Sequence, residues 1–263
     1  MKPSLRLLLP LLCLAAVNAA GAAGELSRRE WIVDGVPRVG LVHTPAGRAA
    51  GPVPVVFVFH GHGGSMRQVA RAAPVHELWP DALVVYLQGL PTPGRLTDPK
   101  GERSGWQAGP GDQHDRDLKF FDTVLQDLRR QHAVDAKRIY ATGHSNGGSF
   151  TYLLWATRRE VFAAFGPSGS LASHDYPPLQ PAPVIHIAGE KDELVRFAWQ
   201  QQMIQQLLRT NECGPGQPAG EGVTLYPSKI GAPVKTYLTA GGHQYPTSAT
   251  RLIVEFFQQQ RRP

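Results

Sequence analysis

The feature that most constrains the fold is a series of short, almost uninterrupted apolar runs. Val53–Phe59 is apolar at nearly every position. Similar runs follow at Leu83–Leu87, Ile139–Thr142, Phe162–Phe165, Val184–Ala188 and Val234–Leu238. Strands that are apolar throughout are buried on both faces, as in a parallel sheet covered by helices. The sequence therefore predicts an α/β fold with a mostly parallel, doubly wound sheet.

The segments between these runs have the apolar spacing of amphipathic helices. Apolar residues share one helical face in three segments, at Leu118, Phe121, Leu125 and Leu128, at Phe197, Met203, Ile204, Leu207 and Leu208, and at Ala249, Ile253, Phe256 and Phe257. Ahead of them, Glu30–His43 reads as an antiparallel hairpin that turns at Asp34-Gly35. Internal repeats and linkers are absent from the sequence, which indicates one domain.

The first residues have the order of a secretory signal peptide. Lys2 and Arg6 provide a positive start, Leu7–Val17 is apolar, and small residues follow. The apolar stretch is too short to span a bilayer, so we expect no stable membrane insertion. A retained anchor helix is the alternative. We predict that residues 1–23 are removed, that residues 24–263 form the folded domain, and that the protein is secreted or periplasmic.

Cysteine content and charge argue against an intramolecular disulfide and against a nucleic-acid partner. Cys13 would leave with the signal peptide, so Cys213 has no intramolecular partner and is expected to be a free thiol. The formal net charge is +6, but the basic residues are dispersed and form no stripe interleaved with aromatic residues. We therefore expect no nucleic-acid partner.

One motif points to covalent catalysis. Gly143–Gly147 is the only complete G-x-S-x-G match, although the chain contains 28 glycines and a chance match is the alternative. An apolar run precedes it and a helical segment follows, which is the strand–turn–helix setting of a nucleophile elbow. This context predicts that Ser145 is a nucleophile exposed beside the positive end of a helix.

A serine nucleophile needs a base and an acid that orients the base. With a nucleophile elbow, the chain order is Ser, then Asp or Glu, then His. Of the ten histidines, only His243 lies beyond the candidate acids, so we assign it as the base. The alternative is that His243 is an ordinary histidine of a surface loop. Among the acids that closely follow the Val184–Ala188 run, we assign Asp192, with Glu193 as the reserve.

Backbone N–H groups are expected to stabilise the oxyanion. One donor is assigned to Asn146, and the other to His62 or Gly61 in the loop His60–Gly64, which follows the first apolar run. The H-x-H arrangement in this loop could also begin a metal site, and its glycines suggest a nucleotide loop. Neither motif is complete, so we expect no metal and no cofactor.

With these motifs, the chain resembles the polyhydroxybutyrate depolymerase and feruloyl esterase group of α/β-hydrolases. The matching segments are His60–Ser65, Tyr86–Pro93, Gly105–Gln107, Asp115–Phe121, Gly143–Gly148, Gly189–Asp192 and Gly241–Pro246. The resemblance implies an α/β-hydrolase fold and an extracytoplasmic esterase that acts on polyesters or on acyl groups of plant polysaccharide. It also implies that Ser145, Asp192 and His243 are nucleophile, acid and base. Asn211–Cys213 looks like a segment whose cysteine is often disulfide-bonded in these enzymes, but the mature chain has no partner for it.

The span between Ser145 and Asp192 leaves no room for a large cap domain, so the predicted site is open to a bulky or polymer-attached ester. The Pro- and Gly-rich loop Gln88–Asp115 contains Trp106. This ring could form a substrate-binding wall for an aromatic acyl group or a sugar, or it could anchor the loop to the domain.

We therefore expect a monomeric, secreted serine esterase that acts on a polymeric or polysaccharide-linked ester through an acyl-enzyme intermediate. Three alternatives stay open. A serine peptidase or an acyltransferase of the same fold would share the three residues, and a non-catalytic polysaccharide-binding protein would not require them.

Overall fold

The structure is a computed structural model and describes residues 26–46, 51–94 and 96–263. The expected signal peptide, residues 1–23, lies outside this part of the chain. The strands are β1 (Ser27–Val33), β2 (Val36–His43), β3 (Val53–Phe59), β4 (Leu83–Leu87), β5 (Leu90–Pro91), β6 (Ser104–Gly105), β7 (Val134–His144), β8 (Ala164–Ser168), β9 (Val184–Gly189), β10 (Gln217–Gly220), β11 (Val223–Tyr226) and β12 (Val234–Thr239). The α-helices are α1 (Met66–Ala72), α2 (Val75–Leu78), α3 (Arg116–Gln131), α4 (Asn146–Arg158), α5 (Phe197–Thr210) and α6 (Ala249–Gln258).

Ten strands form one mixed sheet in the order β1-β2-β4-β3-β7-β8-β9-β12-β11-β10. The six strands from β4 to β12 in this order are parallel to one another. Helices cover both faces: α3, α4 and α5 contribute to one apolar cluster, and α1, α2 and α6 contribute to the other. The predicted mostly parallel, doubly wound sheet is confirmed.

The N-terminal hairpin is also as expected. Strands β1 and β2 pair antiparallel around Asp34 and Gly35, which both have positive φ angles of 49° and 78°. This is the turn geometry that matches the twist of two antiparallel strands, and Asp-Gly adopts it readily.

The structure has a second hairpin, at the other edge of the sheet, that the sequence analysis does not predict. Strands β10 and β11 pair antiparallel and extend the sheet from β12. All four residues of β10 are exposed, and in β11 only Val223 is buried. Short strands of this kind lack the alternation of apolar and polar residues on which a prediction depends.

Two predicted strand boundaries are wrong. The run Phe162–Phe165 begins too early, because a short 3-10 helix at Arg159–Val161 precedes it and β8 starts only at Ala164. Phe162 is fully buried without being in the strand, so an apolar run alone overestimates how far the strand extends. The strand β7 is longer than its apolar run, because it starts at Val134 and continues to His144.

The parallel strands bring three loops to one edge of the sheet. The loops after β7, β9 and β12 all leave from carboxyl ends, which lie together in a parallel sheet. Among the helices that the structure describes, none combines the length and the apolar character needed to cross a bilayer.

Candidate active site

Ser145 occupies a sharp turn between β7 and α4. Its φ and ψ are 56° and −122°, a conformation that a non-glycine residue rarely adopts. A Cβ on Gly147 would lie 2.3 Å from the carbonyl oxygen of Phe59, and one on Gly143 would lie 2.5 Å from the Gly147 backbone. The two glycines of the motif are therefore required because β3, β7 and α4 meet backbone to backbone at this turn.

The structure brings Ser145, His243 and Asp192 into one hydrogen-bonded line. Nε2 of His243 lies 2.8 Å from Oγ of Ser145, and Nδ1 lies 2.8 Å from Oδ2 of Asp192. Asp192 lies in the loop after β9, and His243 lies in the loop after β12. This arrangement can remove a proton from the serine hydroxyl and stabilise the imidazolium that results.

Asp192 is held by four hydrogen bonds. Oδ1 accepts from the backbone N–H groups of Leu194 and Val195, and Oδ2 accepts from Nε2 of Gln200 and from His243. The side chain is fully buried, whereas Glu193, the reserve acid, is exposed. A carboxylate with this many donors is fixed in both position and orientation.

His144, the residue before the serine, supports the loop that carries the base. Its Nε2 donates to the backbone carbonyl of His243 (2.9 Å), its Nδ1 lies 3.1 Å from Oγ of Ser168, and the two imidazole rings are 4.9 Å apart. Burial lowers the pKa of His144 to about 4, and the nearby His243 contributes to this shift. His144 is therefore neutral at neutral pH, and its hydrogen bond to the backbone carbonyl holds the loop that carries His243.

The expected oxyanion donors lie against the serine. Asn146 is the first residue of α4, where an N–H group has no acceptor inside the helix. A Cβ on Gly61 would lie 3.6 Å from Cβ of Ser145, so the loop His60–Gly64 lies next to the turn. Among the loop and turn hydrogen bonds of the described residues, none starts from the N–H group of Gly61 or His62. The assignment of Asn146 with His62 or Gly61 stays a prediction.

Side chains hold this loop in place. His60 accepts from the backbone N–H of Gly89 through Nε2 (2.9 Å), and His62 donates through Nε2 to Oδ2 of Asp98 (2.9 Å). The hydrogen bond from His62 lowers the pKa of Asp98 to about 2. The two imidazoles therefore serve different partners. No cluster of metal-ligating side chains occurs in the chain from residue 26 onward, apart from the undescribed positions.

The interpretation of Trp106 as a substrate wall is wrong. The ring is fully buried, stacks on Phe150 at a centroid distance of 5.1 Å and packs edge-on against Phe59. Its Nε1 donates to the carbonyl oxygen of His60 (2.9 Å), and its backbone is held on both sides by the side-chain amide of Asn146. Trp106 anchors the Gln88–Asp115 loop to the domain, as the alternative interpretation expected.

A cleft of about 600 Å³ opens over Ser145. The apolar part of its lining, referred to below as the apolar wall, includes Leu171, Leu194 and Trp199, and Trp199 is 40% exposed. The guanidinium of Arg196 lies 5.2 Å from the Trp199 ring. Sequence reasoning missed Trp199, although a tryptophan near the start of a helix, off its apolar face, was a usable signal. A second groove of about 670 Å³ lies at the opposite edge of the sheet, away from Ser145.

Comparisons with known proteins agree with the fold. No protein-family model matches the chain. The NocK protein of Nocardia uniformis subsp. tsuyamanensis, whose name describes it as an esterase, is 31% identical over 186 residues, which are 67% of this chain and 51% of NocK. Feruloyl esterase D of Neurospora crassa is 26% identical over 177 residues, 62% of this chain and 56% of that protein. The chain thus spans about half the length of these two relatives.

A solved structure gives the same result for the fold. The acetyl xylan esterase from Aspergillus awamori superposes with a TM-score of 0.66 at 12% sequence identity, over 88% of this chain and 99% of that one. The fold is therefore that of the α/β-hydrolases. Within that class the chain is related to proteins named as esterases, including feruloyl esterases. This confirms the feruloyl esterase side of the predicted resemblance, and it does not bear on polyhydroxybutyrate depolymerases specifically.

Proposed function

We propose that this protein is a serine esterase that hydrolyses carboxylic esters of acyl groups attached to polysaccharide. The observation that carries the proposal is the pair of 2.8 Å contacts that His243 makes with Ser145 and Asp192. The hydroxyl lies at a strained turn beside the first N–H groups of α4, where a tetrahedral oxyanion would be stabilised.

In the first stage, His243 Nε2 takes the Ser145 proton while Oγ attacks the ester carbonyl carbon. The carbonyl π electrons move to oxygen, and the N–H groups of Asn146 and of His62 or Gly61 stabilise the resulting negative charge. Asp192 stabilises the imidazolium through Nδ1. The tetrahedral intermediate collapses, His243 protonates the departing alcohol oxygen, and an acyl-enzyme remains on Ser145.

In the second stage, water repeats the attack on the acyl-enzyme. His243 takes a proton from the water molecule, and the oxygen of that water forms a bond to the acyl carbon. Collapse of the second intermediate releases the carboxylic acid and returns the proton from His243 to Oγ. The residues of this chain are sufficient to account for every proton, and the scheme requires no cofactor.

The cleft favours an acyl group with an apolar, aromatic part. Trp199, Leu194 and Leu171 provide a surface on which an aromatic ring can stack or pack. Relatives point the same way, because their names include feruloyl esterase and, in Neocallimastix patriciarum, a bifunctional acetylxylan esterase/xylanase. We therefore place feruloyl esters first, acetyl esters second and polyhydroxybutyrate third. Export and a monomeric state stay predictions.

The test is a side-by-side assay on methyl ferulate, acetylated xylan and polyhydroxybutyrate. We expect the highest kcat/KM on methyl ferulate. Ser145→Ala should reduce kcat by about 10⁶-fold, because the nucleophile and base act as one unit. Equal activity in wild type and Ser145→Ala would refute the mechanism. Faster cleavage of a matched anilide than of the ester would indicate a peptidase, and transfer to an added alcohol in excess of hydrolysis would indicate an acyltransferase.

A further inference from the structure

Three polar side chains are buried behind Asp192, away from the cleft. Tyr152 on α4, His186 on β9 and Gln200 on α5 have no exposed surface. None of them lines the cleft over Ser145, so none can contact a substrate there. Polar groups with no access to water cost free energy unless they hydrogen-bond to one another, so their arrangement needs an explanation.

The contacts of Gln200 fix the direction of its amide. Its Nε2 donates to Oδ2 of Asp192 (3.0 Å) and to the backbone carbonyl of Val195 (2.7 Å). Both partners only accept hydrogen bonds, so the NH₂ end of the amide must face them. The Oε1 end therefore faces away from Asp192, and this buried atom has no donor that meets hydrogen-bond geometry.

His186 is a buried residue whose side chain interacts with that of Gln200. The Tyr152 hydroxyl lies 2.8 Å from Nδ1 of His186. The other ring nitrogen of His186, Nε2, is buried without a well-formed hydrogen bond. Burial lowers the pKa of His186 to about 4, and interaction with the Gln200 side chain opposes that shift. A neutral imidazole has one donor and one acceptor. A hydrogen on Nε2 would supply the donor that Oε1 of Gln200 lacks, and Nδ1 would accept from Tyr152.

We propose that Tyr152, His186 and Gln200 form a directed chain of hydrogen bonds that holds Asp192 in the orientation His243 requires. In this chain Tyr152 Oη donates to His186 Nδ1, and His186 Nε2 donates to Gln200 Oε1. Gln200 Nε2 in turn donates to Asp192 Oδ2. The three are positioning residues. Their effect on turnover rests on the proposed esterase function, whereas the tautomer of His186 can be tested without it.

The direction of the chain matters because a reversed amide would repel its neighbours. If Nε2 of His186 lost its hydrogen, it would present a lone pair to Oε1 of Gln200. Rotation of the amide would relieve that contact but would place Oε1 against the carboxylate of Asp192 and the carbonyl of Val195. Removing the Tyr152 hydroxyl takes away the donor that keeps the hydrogen of His186 on Nε2, so a change in α4 should reach Asp192 through two intervening side chains.

The first measurement is the ¹⁵N NMR spectrum of the full chain labelled at histidine. The signals of His186 are assigned by their loss in His186→Gln. We expect the neutral Nε2–H tautomer, with Nδ1 as an acceptor, at pH 7. In Tyr152→Phe we expect the tautomer ratio to change. An Nδ1–H tautomer in the wild type, or an unchanged ratio in Tyr152→Phe, would overturn the proposal even if no ester is hydrolysed.

The second measurement is the kinetics of Gln200→Met and Tyr152→Phe on methyl ferulate. We expect kcat to fall by about ten- to a hundredfold with KM unchanged, because Asp192 is misplaced but the cleft is intact. In Gln200→Met the carboxylate of Asp192 has one donor fewer and attracts the imidazolium of His243 more strongly, so the acid limb of kcat/KM should move to higher pH in that variant. His144 also faces His243, and neither variant alters it.

The matched control is Gln201→Met, which makes the same change at the neighbouring, exposed position of α5. It should keep the wild-type kcat and pH profile. A folded Gln200→Met enzyme with both quantities unchanged would contradict the proposal. If Gln200→Met does not fold, Tyr152→Phe, which keeps the ring, decides in its place. No hydrolysis by wild type and control together would count against the esterase function and leave the NMR result valid.

Discussion

Two tryptophans near the site have opposite environments. Trp106 is fully buried between Phe59 and Phe150, and its Nε1 donates to the backbone carbonyl oxygen of His60. Trp199 is partly exposed on the apolar wall of the cleft. Burial therefore decides which ring can contact a substrate, and that ring is Trp199.

We expect substitutions of these two residues to separate stability from substrate binding. Trp199→Ala should raise KM for methyl ferulate about tenfold, since a stacked ring contributes on the order of 1 kcal/mol, and should leave KM for an acetyl ester nearly unchanged. Trp106→Phe should lower the free energy of unfolding by about 1–3 kcal/mol, because the carbonyl of His60 loses a buried donor. Urea denaturation and steady-state kinetics on both variants would check this. Equal KM values for methyl ferulate in Trp199→Ala and wild type would exclude Trp199 from the acyl site.

The residues that sequence reasoning could place are those fixed by chain order. Ser145 follows from its motif, and Asp192 and His243 follow from their positions after predicted strands. His144 and Gln200 could not be assigned in this way, since each acts by facing a residue that is distant in sequence or in another element. The environment of Trp106 was undetermined for the same reason.

At the scale of elements, the site depends on the close packing of β3, β7 and α4. A Cβ on Gly147 would lie within 2.6 Å of two backbone carbonyl oxygens, those of Phe59 and His60. A backbone atom cannot rotate away as a side chain can, so the helix itself would have to move.

Gly147→Ala should therefore lower the free energy of unfolding by about 3 kcal/mol or more, and it should abolish activity by displacing α4 from the serine turn. The control is Gly214→Ala, where the nearest atom to the new Cβ is 3.8 Å away. Thermal melting of both variants gives the comparison. Equal melting temperatures would mean that the helix can shift without cost.

The central strands were predictable because burial on both faces requires an apolar run, and β3, β4 and β9 are buried at every position. The outer hairpin β10–β11 was not predictable from the sequence, because its place in the sheet depends on pairing with β12 and not on its own composition. The start of β8 was misplaced because Phe162 is buried by packing and not by strand pairing.

At the scale of the whole molecule, buried neutral histidines tie stability to pH. The pKa values of His144 and His186 are both lowered to about 4 from 6.5, chiefly by burial. Between these values an unfolded chain takes up protons that the folded chain does not. The folded state is therefore unaffected above pH 6.5 and loses stability as the pH falls toward 4.

Between pH 6.5 and 4, we expect protonation of His144 and His186 in the unfolded chain to lower the free energy of unfolding. The decrease from the two groups together is at most about 2.7 kcal/mol per pH unit. Urea denaturation at pH 7.5, 6.0 and 5.0 measures it. His186→Gln should reduce the slope, whereas His174→Gln, at a largely exposed histidine, should not. A free energy of unfolding that is constant from pH 7.5 to 5.0 would show that these imidazoles are accessible to protons in the folded state.

The composition of β10 has a consequence for how copies of the molecule meet. This outermost strand contains Pro218, which has no N–H group, and its register shifts between Pro218 and Gly220. A regular row of donors and acceptors is what allows a strand from another chain to add on, and here the row is interrupted. The sheet therefore resists growth into fibrils from this side, even where neighbouring copies collide often.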